Sequence, residues 1–190
     1  MKARAVLVAA LAVAIGVSLA VSLTAFLSNR DRAPDFTLVD QDRRPFTLSA
    51  QRGRVVLLFF GYAHCPDVCP TTLANLEHAI ASLGPAGRGV EVAFVTVDAK
   101  RDTPEALKSY VEVFGSNVTG LTGSAAVLER VYAAYHVFHQ ELPQQPGEST
   151  YYVAHSSAVY YIDRSGRMSG LGDWTENPAA ILRRLRPLTA

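Results

Sequence analysis

The chain has 190 residues, 49% of them hydrophobic, and its 18 Lys and Arg against 17 Asp and Glu give a net charge of +1. This length suits one domain once an N-terminal segment is set aside, and a second domain is not expected. There is no basic run, and no basic patch interleaved with aromatic residues, to neutralise phosphates, so a nucleic-acid-binding function is excluded.

An uncharged segment opens the chain. Residues 5–27 carry no charge, Lys2 and Arg4 precede them, and Arg30 follows. A helix of this length can cross a bilayer, and the positive flank predicts an N-terminus in the cytoplasm. The alternative is a cleaved signal peptide, because residues 18–20 read SLA, a small-residue cleavage site. We therefore expect a bacterial inner-membrane protein with a single N-terminal span over 1–29 and a domain over 30–190 that faces the periplasm or the cell exterior.

The rest of the chain alternates strand and helix patterns. In chain order these predict a hairpin over 33–48, a buried strand over 54–61, a helix over 71–83 opened by Pro70, a strand over 90–97, a helix over 103–115, a helix over 124–135, a loop or loose hairpin over 136–150, a strand over 151–163, a short partner strand over 167–171 and a helix over 178–188. This order is thioredoxin-like. We predict an α/β fold whose central sheet is flanked by helices, with an N-terminal β-hairpin and an inserted loop or hairpin before the late strand.

The only two cysteines, Cys65 and Cys69, follow the first buried strand at the start of a helix. Open α/β sheets bind ligands at this position, and a helix N-terminus favours thiolate over thiol. A disulfide between them would close too small a loop to stabilise the fold much. A redox or metal role is therefore the better use of the pair. Two thiolates favour Cu(I) or zinc, although a structural zinc would usually need a fourth ligand.

Five histidines are candidates for a third ligand. His64 adjoins the cysteines and suits a supporting role, and His78 shares the polar face of its helix. His136 and His139 form a possible pair in the loop before the late strand. His155 opens an apolar strand, where a buried core histidine is the alternative to a ligand.

Four motifs together resemble the Sco (SenC) proteins, which are copper chaperones for cytochrome c oxidase assembly. They are GYAHCPDVCP at 61–70, VD at 97–98 with RDTPE at 101–105, VAHS at 153–156 and YID at 161–163. The resemblance covers residues 33–187. It implies one copper, as Cu(I), Cu(II) or both, held by Cys65, Cys69 and His155.

The same resemblance implies partners and a role. Copper would pass to the binuclear copper site of cytochrome c oxidase subunit II, and a thioredoxin-like reductant or another copper carrier would keep the cysteines competent. The inner membrane would be a further partner through residues 5–27. The principal role is then metal delivery rather than enzyme catalysis. The family usually has Asp where this chain has Ala154, so a carboxylate expected to support His155 is missing.

The main alternative is a thiol–disulfide oxidoreductase that uses Cys65 and Cys69 as a redox pair. Such enzymes mostly have two residues between the cysteines, whereas this chain has three, and thiol exchange does not require His155. A peroxiredoxin fits less well, since Tyr62 and Leu58 stand where its pattern wants Thr and Pro before Cys65. A purely structural interaction module would leave both cysteines without a role.

Overall fold

The structure, a computed structural model, describes residues 15, 17, 18, 31–144, 147 and 150–190. The chain divides into two compact units, Met1–Arg32 and Ala33–Ala190, and the second carries the candidate site. The predicted boundary after residue 29 stays a prediction, because residues 19–30 lie outside the described part.

The predicted membrane localisation is corrected by the structure. Among the residues that it describes, no helix has both the length and the apolar character needed to cross a bilayer. The predicted span over 5–27 lies outside the described residues, except for Ile15, Val17 and Ser18.

Strands and helices alternate through the second unit. The strands are β1 (Thr37–Asp40), β2 (Pro45–Thr47), β3 (Val55–Gly61), β4 (Val90–Thr96), β5 (Val118–Thr122), β6 (His139–Glu141), β7 (Val153–His155), β8 (Val159–Ile162) and β9 (Met168–Gly172). The helices are α1 (Val68–Ala81), α2 (Pro104–Val111), α3 (Ala125–Ala134) and α4 (Pro178–Thr189). Short 3-10 turns lie at Leu48–Gln51 and Gly84–Gly89.

A mixed seven-stranded sheet in the order β2-β1-β5-β4-β3-β8-β9 forms the centre of the fold. The three middle strands β5, β4 and β3 run parallel, and β1 and β8 join them antiparallel. All seven residues of β3 and of β4 are buried, as expected for strands covered on both faces. The predicted thioredoxin-like α/β fold, with its N-terminal hairpin, is confirmed.

The strands differ from the sequence prediction in two places. The sequence pattern did not predict β5, a short strand with Gly120 at its centre. The Leu107 and Val111 side chains pack closely against this glycine. The single strand predicted over 151–163 is two strands in two sheets. β7 pairs only with β6, β8 joins the main sheet, and Ser156 to Ala158 connect them.

The break after His155 matters for the site. β6 and β7 form a separate two-stranded sheet, in which His139 pairs with His155. The region predicted as an inserted loop or loose hairpin therefore supplies one strand of this small sheet. His155 ends the other strand and lies outside the hydrogen-bonded ladder of the main sheet.

Candidate metal centre

The cysteines lie where β3 ends and α1 begins. α1 starts at Val68, two residues before the predicted first residue Pro70, so Cys69 sits in its first turn and Cys65 in the preceding loop. The Cys69 N–H points to Cys65 Sγ at 3.4 Å, and the Cys65 N–H donates to the Tyr62 carbonyl at 3.2 Å. An amide at the start of α1, which has no partner within the helix, thus points to the sulfur of Cys65. The position of the cysteines at a helix N-terminus predicts this contact.

Cys69 packs directly against the last residue of β3. A Cβ on Gly61 would lie 2.8 Å from Cys69 Sγ and 2.6 Å from the Phe94 ring. Only a residue without a side chain allows this approach, so Gly61 makes room for the buried sulfur. Cys69 is fully buried, whereas Cys65 is partly exposed.

His155 completes a group of three donors. Its Nε2 lies 3.6 Å from Cys69 Sγ, and its Nδ1 lies 2.9 Å from the Ser156 carbonyl oxygen. Because that carbonyl can only accept, Nδ1 carries the proton and Nε2 keeps its lone pair for a ligand. The Ser156 carbonyl thus supports His155 in place of the carboxylate expected at position 154.

The three ligand atoms lie within 4.8 Å of one another, and no other group of three or more His, Cys, Asp or Glu in the described part of the chain is arranged in this way. Sulfur and nitrogen donors at about 2.0–2.3 Å from one ion lie roughly 3.5–4 Å apart. Closing onto a metal therefore needs shifts below about 1 Å. The structure brings together all three residues that the sequence nominated.

The two thiols have opposite acidities. Hydrogen bonds from the Cys69 thiol and from the amides of Asp67 and Cys69 lower the pKa of Cys65 to about 4, although burial opposes this shift. The hydrogen bond that the Cys69 thiol donates to Cys65, together with burial and the negative charge of Cys65, raises the pKa of Cys69 far above its ordinary value. The reduced pair therefore holds one thiolate, exposed enough to react, beside a buried thiol.

The other four histidines lie outside the donor group. His64 is about half exposed, and its Nδ1 is 3.8 Å from the buried Asp102 carboxylate. His78 is exposed on α1, and His136 is exposed with a positive φ of 53°. His139 Nε2 lies 3.3 Å from Glu129 Oε1, and its ring is 4.5 Å from that of Tyr132.

Residues that the sequence did not nominate surround the site. Tyr62 is buried with its ring perpendicular to His155, 5.8 Å between centroids. Arg101 lies over the rings of both Tyr151 and Tyr62 and bonds to Asp98. Tyr62 and Arg101 stand inside motifs that the sequence identified, but only the tertiary structure shows that they meet beside His155.

Comparison with known proteins identifies the family of this chain. The model of the SCO1/SenC family matches residues 26–190, which is most of the chain. This chain belongs to the SCO1/SenC family. The resemblance predicted from the sequence motifs is confirmed.

Individual relatives of this SCO1/SenC chain support the assignment. The SCO2-like protein RP587 of Rickettsia prowazekii is 36% identical over 70% of this chain and 64% of its own length. The solved ScoI of Bradyrhizobium japonicum with copper bound is 32% identical, with a TM-score of 0.74 over 83% of this chain and 99% of that one. ScoI of Arabidopsis thaliana, also solved with copper bound, is 28% identical, with a TM-score of 0.75 over 82% and 98%.

Copper, the cofactor predicted from the sequence, is thus the metal in two solved SCO1/SenC relatives. The chain spans only about 64–65% of the length of the first SCO2-like relatives that it matches.

Proposed function

We propose that this chain is a copper chaperone that binds one copper through Cys65, Cys69 and His155 and delivers it to the binuclear copper site of cytochrome c oxidase subunit II. The observation that carries the proposal is the convergence of two sulfurs and one histidine nitrogen within 4.8 Å, with the nitrogen in the tautomer that a ligand requires. The Sco family is linked to cytochrome c oxidase assembly, which supports the choice of acceptor.

The donor set suits a cargo ion. Two soft thiolates and one imidazole bind Cu(I) well, and the nitrogen also makes the set usable by Cu(II). Three ligands leave room for an incoming ligand, so an acceptor thiolate or imidazole can replace the protein donors one at a time. Cys65, partly exposed and ionised, is the donor that an acceptor reaches first.

Binding is tested by anaerobic Cu(I) titration of the reduced full chain. We expect one tight copper per chain, no tight binding in Cys65→Ser or Cys69→Ser, and weaker binding in His155→Ala. His78→Ala is the matched control, because His78 is exposed on α1 and outside the donor group. Full affinity in His155→Ala would overturn the three-ligand site.

Delivery is tested separately by mixing the copper-loaded chain with the reduced, copper-free soluble domain of subunit II and separating the two proteins. Copper should appear on the acceptor. Retention of all copper on the chaperone at equilibrium would count against this acceptor.

A thiol–disulfide reductase is a second candidate, favoured by the two free thiols of opposite acidity. The Cys65 thiolate would attack an acceptor disulfide and form a mixed disulfide. Cys69 would then attack Cys65 Sγ, so that the acceptor gains two electrons, the Cys69 proton and one proton from solvent. A Cys65–Cys69 disulfide remains, and a thioredoxin-like reductant must reduce it again.

The two roles are separable. Reduction of an oxidised acceptor peptide by the copper-free protein, at unchanged rate in His155→Ala, would favour the reductase. No reduction by a protein that binds copper tightly would leave the chaperone role alone.

A further inference from the structure

We propose that Arg101 is a positioning residue for His155. It links residues 150 and 151, which lead into β7, to the turn after β4 and to the loop that carries Cys65. This inference rests on the proposed copper site, because it concerns how one of its three ligands is held. Arg101 touches none of the donor atoms, so it would act only through the segment that carries His155.

The sheet topology shows why β7 needs such a link. β7 pairs only with β6, and this two-stranded sheet has no ladder to the seven-stranded sheet. An isolated pair of strands is at best marginally stable in water. The position of His155 relative to Cys69 therefore depends on side-chain contacts between the β6–β7 pair and the rest of the domain.

Arg101 supplies several of these contacts. Its Nη1 donates to Thr150 Oγ1 at 2.7 Å and to the Tyr151 carbonyl at 2.9 Å, while its Nε bonds to Asp98. Its guanidinium lies 3.6 Å from the centre of the Tyr151 ring, and the Tyr151 hydroxyl donates to Asp98 Oδ1 at 2.9 Å. One partly buried cation thus ties residues 150 and 151 to the turn after β4.

A second path leads from Arg101 to the metal site through an aromatic ring. The guanidinium lies 5.7 Å from the centre of the Tyr62 ring, which stands perpendicular to the His155 ring at 5.8 Å. The Tyr62 hydroxyl also lies beside the backbone of Val153 in β7. Arg101 thus contacts Tyr62, which in turn contacts both His155 and the strand that carries it.

Two other polar links between the β6–β7 pair and the rest of the domain are weaker. Lys100 Nζ meets Glu141 Oε2 at 2.6 Å, but both side chains are largely exposed, and such pairs stabilise little. The contact of His139 with Glu129 also involves a largely exposed carboxylate. Lys100 joins the same turn to the same hairpin as Arg101 does, which makes Lys100→Met a matched control.

The test compares Cu(I) affinities of the full chain by competition with bicinchoninic acid. Arg101→Lys keeps the charge beside Asp98 but loses the planar fork that reaches three acceptors. Residues that orient metal ligands typically change affinity by 10–100-fold, so we expect about a 10-fold loss in Arg101→Lys and less than a 2-fold change in Lys100→Met. In the electron paramagnetic resonance spectrum of the Cu(II)-loaded protein, the nitrogen hyperfine pattern of His155 should weaken in Arg101→Lys and stay unchanged in Lys100→Met.

The same substitution in a His155→Ala background separates positioning from general destabilisation. If Arg101 acts through His155, Arg101→Lys changes affinity less than 2-fold there. An equal loss in both backgrounds, or wild-type affinity in Arg101→Lys, would overturn the proposal. Failure of the wild-type chain to bind copper would instead count against the proposed function.

Thr150→Val is a second variant in case Arg101→Lys does not fold, which circular dichroism would show. It removes only the hydroxyl that accepts from Nη1. We expect about a 3-fold weaker affinity that disappears in the His155→Ala background. No loss in a folded Thr150→Val, together with an unfolded Arg101→Lys, would mean that Arg101 serves the fold alone.

Discussion

Gly61→Ala offers a direct test of how Cys69 is placed. Gly61 has no positive φ, so alanine can adopt its backbone conformation, and without a clash the change would add about 0.5–1 kcal/mol of stability. The added Cβ would, however, lie 2.8 Å from Cys69 Sγ and 2.6 Å from the Phe94 ring. Both contacts are about 1 Å too short, so the sulfur and the ring must move.

The cost has two parts. Overpacking in a buried core typically destabilises a protein by about 1–3 kcal/mol, so we expect a net loss of about 1–2 kcal/mol in the free energy of unfolding. A shift of Cys69 by about 1 Å also disturbs the three-donor geometry, and we expect copper affinity to fall roughly 10–100-fold. Urea denaturation and Cu(I) competition measure the two parts separately.

Gly120→Ala is the control for overpacking alone. Gly120 lies in the same sheet, and its Cβ would meet the Leu107 and Val111 side chains at 3.1 Å, with no cysteine among its nearest atoms. It should lose stability and keep its copper affinity. The reasoning about Gly61 is refuted if Gly61→Ala is as stable as wild type and binds copper equally well.

Three further predictions concern ionisable groups. Because the hydrogen bond from the Cys69 thiol keeps the pKa of Cys65 near 4, the alkylation of Cys65 by iodoacetamide should vary little between pH 6 and 8, whereas that of an ordinary cysteine speeds up roughly 80-fold. Burial, with the nearby Glu91 charge, raises the pKa of Glu77 from 4.5 to about 7, so its contribution to stability is complete below about pH 4.5 and is lost as pH rises through 7. After allowance for partial exposure, Glu77→Gln should be about 1–2 kcal/mol more stable than wild type at pH 8 and unchanged at pH 5, as measured by urea denaturation. Arg54→Met should cost about 2–3 kcal/mol at pH 7 in the same assay, because it leaves the buried Glu91 carboxylate without the cation now 2.7 Å away.

Controls sharpen these three predictions. Alkylation in Cys69→Ala should become strongly pH-dependent, because the main donor to Cys65 is gone; a flat profile there would contradict the assigned cause. Equal stability of Glu77→Gln and wild type at pH 5 and pH 8 would show that Glu77 ionises normally. Arg43→Met breaks the exposed pair with Glu105 and should cost less than about 0.5 kcal/mol, so an equal cost in Arg54→Met would argue against burial as the cause.

The sequence alone determined the parts of the fold that depend on local patterns. The uninterrupted apolar run at 55–60 predicts a strand covered on both faces, and β3 is buried throughout. Thr103 and Pro104 predict a helix start, and the Thr103 hydroxyl accepts from the Ala106 amide at 3.2 Å. The spacing of Cys65 and Cys69 at a helix N-terminus likewise predicted their chemistry, because this chemistry depends on the two thiols being neighbours and on nearby amides.

Only the tertiary structure decided how distant segments meet. His155 is 86 residues from Cys69, so no local pattern relates them, and only the motif resemblance nominated it. The Ser156 carbonyl beside His155 and the position of Arg101 between Tyr62 and Tyr151 depend on the departure of β7 from the main sheet. That departure is a property of strand pairing between remote segments, which hydrophobic periodicity does not encode.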